Sequence, residues 1–152
     1  MPYLYCLPGL ICGLALAAED VRRRRVPRTW VAAGCLVQLA ADVVWAVMAN
    51  DFFVVLQAML FAVLCAGVQL LLALAKPGAV GLGDVTAMLP LGLAVGAYGL
   101  FHVVTWWVCL GLLGFLFVAL WTRFDPQRHG AYAGKVPFVP VIVVSAVVAV
   151  LV

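Results

Sequence analysis

From Val85 to Trp121 the chain runs for 37 residues without a Lys, Arg, Asp or Glu. As one helix that run would reach roughly 55 Å at 1.5 Å per residue, nearly twice the ~30 Å hydrocarbon core of a bilayer. It must fold back on itself. The stretch "GLAVGAYGL", Gly92 to Leu100, is the natural place, because glycine adopts the tight backbone conformations that a hairpin needs. Four further apolar stretches, Pro2 to Glu19, Thr29 to Met48, Phe52 to Ala75 and Val136 to Val152, each approach the roughly 20 residues of a single crossing. The count is six helices. The last is short, with Pro137 and Pro140 near its start, where missing amide donors cost least.

Composition agrees with this reading, since 68% of the 152 residues are hydrophobic and only 10% are charged, outside the range of soluble domains. The expected fold is all-α, a polytopic integral membrane protein with about six transmembrane helices. The spans are too closely spaced to leave room for a folded module outside the membrane, so residues 1–152 are expected to form a single domain. The first helix has neither the basic start nor the small-residue cleavage site of a secretory signal and is expected to remain in the mature protein.

Charge placement gives the expected sidedness. Arg22, Arg23, Arg24, Arg25 and Arg28 form one cluster, Lys76 stands alone, and Arg123, Arg128 and Lys135 form a third group. With six spans, all nine fall in the connections after helices 1, 3 and 5. By the positive-inside rule these connections are cytoplasmic and both termini face outward. The arginine cluster fits topology and attraction to anionic lipid, and nothing in its setting suggests nucleic acid. The five cysteines lie within apolar runs, with no C-x-x-C pair and no histidine at ligand spacing, so packing is expected of them and no metal or cofactor site. His102, His129 and the Trp106–Trp107 pair likewise lack catalytic or ligand spacing.

The six acids sort by position. Asp51 and Asp125 fall in loops. Asp42 lies inside helix 2, one turn after Gln38 on the same face, a spacing that allows the two side chains to share a hydrogen bond. Asp20 ends helix 1 and Asp84 begins helix 4, so the topology places both at the cytoplasmic boundary. Each has a plain structural reading: Glu19–Arg23 and Asp20–Arg24 have the i,i+4 spacing of surface ion pairs, and Asp84 follows glycines as a helix N-cap does. Together they have a chemical one. Two close carboxylates cannot both ionise easily and so share a proton; one then deprotonates a water while the other protonates the scissile carbonyl or the leaving amine. A helix N-terminus favours charge on Asp84 and a helix C-terminus disfavours it on Asp20, which makes Asp84 the expected base and Asp20 the expected proton carrier.

These residues carry a family resemblance. "DVRRRRVPRTW", Asp20 to Trp30, is similar to the prepilin peptidase pattern in which a proline, here Pro27, follows the aspartate by seven positions. "GLGD", Gly81 to Asp84, resembles the family's G-x-G-D, and "KVPFVPVI", Lys135 to Ile142, its C-terminal Pro-Phe-Gly-Pro segment. Arg28, Thr86 and Val139 depart from the residues usual at their positions. The resemblance implies a membrane aspartic endopeptidase of the bacterial cytoplasmic membrane. Asp20 and Asp84 would be its catalytic pair, and Gly81 and Gly83 an active-site loop that approaches the substrate or bends. Its substrates would be type IV prepilins or pseudopilins, cut on the cytoplasmic side just before their hydrophobic helix. No zinc-binding cysteine loop or methyltransferase portion is present, as in the short, peptidase-only kind associated with Flp or tight-adherence pili. Presenilin-like G-x-G-D proteases pair the motif with a Tyr-Asp in the preceding helix, and helix 3 has no aspartate. The alternative from another class is a non-enzymatic membrane protein, a transporter subunit or a secretion or pilus assembly scaffold, in which the two aspartates only cap helices or pair with arginines.

Overall fold

The computed structural model describes residues 4–75, 81–124 and 136–152; Lys76, Asp125, Arg128, His129 and Lys135, which enter the charge and motif readings above, lie outside the described residues. The described residues form six helices and no strand: α1 (Leu7–Arg23), α2 (Arg28–Ala49), α3 (Phe53–Ala75), α4 (Leu82–Gly96), α5 (Leu100–Phe124) and α6 (Val139–Leu151). The fold is all-α, and α2, α3 and α5 are long and apolar enough to cross a membrane. The 37-residue run breaks where the glycines stand, with Gly99 at φ 101°, in the left-handed region that side chains resist.

The first helix differs from the stretch expected for it. It begins at Leu7, with Pro8 in its first turn, and continues through Arg23, so that Asp20 lies inside it. The arginines that end the apolar stretch do not end the helix, because arginine is a good helix former and its charge is favourable at a C-terminus. The helix stops at Arg24, whose backbone is left-handed (φ 51°) and whose N–H donates to the Asp20 carbonyl at 2.9 Å. The last helix likewise begins at Val139, three residues later than the apolar run.

Helix α4 has only 15 residues, about 22 Å, yet it touches all five other helices. Ten of those residues are buried, against five of the 23 in α3, so α4 is the central post and α3 faces outward. The interior uses small side chains where helices meet: Ala58, Ala62, Ala87, Ala94, Ala97, Ala146 and Ala149 are buried, while Leu112, Phe115 and Leu71 point away from the bundle. Membrane helices associate by such close packing, because lipid gives large apolar groups no reason to hide.

Helix ends buried among apolar neighbours still need partners for their free backbone groups. Two glutamines supply them. Gln57 of α3 donates to the Gly96 and Ala97 carbonyls at 3.1 and 3.3 Å, closing the end of α4. Gln38 of α2 accepts the Gly9 N–H in the first turn of α1 at 2.7 Å and donates to the Tyr5 carbonyl at 2.9 Å and to Asp42 Oδ1 at 2.8 Å. The bond expected from the Gln38–Asp42 spacing is present, and both residues are fully buried. Beside them Tyr5 stacks on Trp45 and on Tyr98, each at 4.9 Å. Gln38→Leu should therefore leave several buried polar groups unpaired and cost about 1–3 kcal/mol. Asp42→Asn, which keeps an oxygen for Gln38, should change little. Melting temperatures in one detergent would measure both.

Candidate active site

The end of the bundle away from that aromatic cluster gathers the last turn of α1, the α1–α2 connection and the first turns of α4 and α6. A cleft of about 960 Å³ opens there, and both Asp20 and Asp84 line it. Arg23, Arg24, Arg25 and Arg28 stand around it, and Val118 of α5 and Phe138 form part of its wall.

Asp84 is held by its own helix. It occupies the third position of α4, its Oδ2 accepts the Gly81 N–H at 3.0 Å, and its own N–H donates to the Gly81 carbonyl at 3.0 Å. The N-cap position is thus Gly81 and not Asp84, because a carboxylate three residues into a helix reaches back to the free amide at its start. Gly81 has ordinary extended backbone (φ −76°), and Gly83 lies within the first turn rather than in a loop. A Cβ on Gly83 would come 2.8 Å from Val26 Cγ2. Glycine here lets the α1–α2 connection pack on the start of α4, beside the carboxylate.

Asp20 is held from a distance. It is 8% exposed, and its Oδ2 accepts the backbone N–H of Val139 at 3.3 Å, across 119 positions of sequence. The Glu19–Arg23 pair expected from spacing is present at 3.4 Å. Asp20 turns inward to α6 and also feels the Arg24 charge, while the Arg24 guanidinium lies 5.2 Å from the Trp121 ring centre. Asp51 also has a partner, since its Oδ1 accepts the Phe53 N–H at 3.1 Å at the start of α3.

Both carboxylates lie just outside the apolar stretches, after Glu19 and before Val85. Burial pushes Asp20 above the usual carboxylate range, against the opposing pull of the Val139 N–H and the Arg24 charge. Burial pushes Asp84 up to about 6; the Gly81 N–H opposes the shift and the nearby Asp20 charge adds to it. A like charge that acts on its neighbour is the electrostatic condition for a shared proton.

The type IV leader peptidase family matches residues 7–123. The chain belongs to that family. The match runs from the first residue of α1 almost to the end of α5, contains both aspartates and stops before α6. No curated protein and no solved structure matches the chain. Family membership gives a leader-peptidase type of activity and, with the apolar helices, a membrane protein.

One sequence-based expectation needs correction. Asp20 lies near the C-terminal end of α1, which disfavours charge, but the N-terminus of α6 also faces it, so both carboxylates sit at helix N-termini and the dipole does not separate their roles. The sequence reading also missed Val139 and Phe138 as neighbours of Asp20. Their segment is marked by its prolines, but nothing in a one-dimensional pattern says which acid it meets.

Proposed function

We propose that this protein is an aspartic endopeptidase of the bacterial cytoplasmic membrane, formed as one transmembrane domain, that removes the leader peptide of Flp-like type IV prepilins or pseudopilins. Asp20 and Asp84 are its catalytic pair, with Gly81 and Gly83 shaping the wall beside Asp84. The observation that carries this reading is that two acids from different helices line one cleft. One carboxylate takes a proton from water as the oxygen attacks the scissile carbonyl carbon. The other first protonates the carbonyl oxygen and later the leaving amine. The clustered arginines and the positive-inside rule support an orientation with this end of the bundle in the cytoplasm and both termini outside. The substrate's hydrophobic helix then stays in the bilayer while the residues just before it reach the cleft.

The test is incubation of the full chain in lipid vesicles with a synthetic Flp-type prepilin. A single cut immediately before the hydrophobic helix is expected, unaffected by a chelator. Activity should follow a bell-shaped pH profile, rising as the pair loses its first proton and falling above about 6, where Asp84 loses the shared one. No processing by folded wild-type protein, or rates that keep rising through neutral pH, would exclude the dyad. The scaffold alternative predicts no cut under any condition.

A further inference from the structure

The α6 end of the cleft contains a device that the proposed reaction does not by itself require. Phe138 caps α6 and its carbonyl accepts the Val141 and Ile142 amides at 3.0 and 3.3 Å. Its ring rests in a notch of α5: a Cβ on Gly114 would lie 3.0 Å from Phe138 Cζ and 3.3 Å from Cε2. Deeper in the bundle Trp106 of α5 donates to the Ile142 carbonyl at 3.0 Å, and Pro137 and Val139 are fully buried. The start of α6 is thereby fixed against α5, and the next residue along presents its N–H to Asp20 Oδ2.

We propose that Phe138, seated in the notch left by Gly114, is a positioning residue that delivers the Val139 N–H to Asp20 and so orients one carboxylate of the reacting pair. This rests on the dyad reading above. Phe138 stands in the Pro-Phe-Val-Pro segment, and the helix it starts lies beyond residues 7–123, the region that matches the family. A donor aimed at one oxygen fixes the rotation of the carboxylate and favours its ionised form.

The test fills the notch. Gly114→Val should force the Phe138 ring aside and carry the Val139 amide off Asp20. The expected result is a kcat lower by about tenfold to a hundredfold, a KM within about twofold, and an acid limb of the kcat profile moved up by about one pH unit, since an ionised carboxylate that loses a donor holds its proton to higher pH. The shorter side chain of Phe138→Leu, added to Gly114→Val, should restore both rate and profile. Losses that merely add, or a profile that stays put, would overturn the proposal. Replacing Val139 by its α-hydroxy acid, which removes the N–H and leaves the side chain, tests the same bond without filling the notch. It should shift the acid limb in the same direction, and an unmoved limb would again overturn the proposal. Failure of the dyad reading looks different: Asp20→Asn would then process prepilin at the wild-type rate, whatever the notch variants do.

Discussion

Asp20→Asn and Asp84→Asn should each lower prepilin processing by about 10²–10⁴-fold or more, with the protein still inserted and its melting temperature within a few degrees of wild type. The two halves of this outcome have different physical origins, which makes the pair informative. Each carboxylate accepts a helix-terminal amide, Val139 for Asp20 and Gly81 for Asp84. Asparagine keeps an oxygen for that amide and is itself a good capping residue. The structural role therefore survives the change while the titratable role does not. A site in which the acids served only as caps would tolerate both substitutions without any functional loss. A dyad would fail with either, and the double variant would be scarcely worse than the single ones, because two groups that share one proton act as a unit. Processing rates in vesicles, with melting curves on the same preparations, measure both halves.

The chain discloses its large-scale plan well, and for a definite reason. Membrane thickness turns the length of an uncharged run into a count of crossings, so the fold-back between α4 and α5 was readable from the 37 residues and their glycines. The alternation of charged connections then sent Asp20 and Asp84 to one end of the bundle, where they do line one cleft. The Gln38–Asp42 bond followed from helical spacing alone. What stayed hidden is everything that depends on which helix faces which. An apolar run reads the same whether its neighbours are lipid or protein, so the central place of α4 and the outward place of α3 were not visible. Nor was the work of Gln57, which closes a helix 39 and 40 positions away. The roles drawn from helix ends failed in the same way: a dipole argument that used only each acid's own helix missed the N-terminus of α6 against Asp20.

The central place of α4 makes Gly92 a sensitive position outside the cleft, and Gly92→Val should lower both stability and processing. A Cβ on Gly92 would stand 2.7 Å from the Ala62 Cα and 3.3 Å from its Cβ; one turn on, a Cβ on Gly96 would stand 2.9 Å from Phe61 Cβ and 3.2 Å from the Ala58 carbonyl oxygen. The nearest atom to Gly92 is backbone, so no rotamer change relieves the clash and α3 and α4 must part. Overpacking of this kind costs about 1–3 kcal/mol and occasionally more, and a displacement of about 1 Å at a reacting group can cost about 10²-fold in rate. Because α4 carries Asp84, the two losses should appear together, as a lower melting temperature and a slower cut. Ala62→Gly should not rescue the variant, since it removes the Cβ and leaves the Cα that makes the closest approach. Gly67→Ala and Gly111→Ala are the contrast: a Cβ at either position meets nothing within 4 Å, so losing the glycine there should leave melting and processing as they were. Loss at all three positions would mean that glycine is needed in these helices for flexibility; loss at Gly92 alone would tie it to the contact between α3 and the helix that holds the carboxylate.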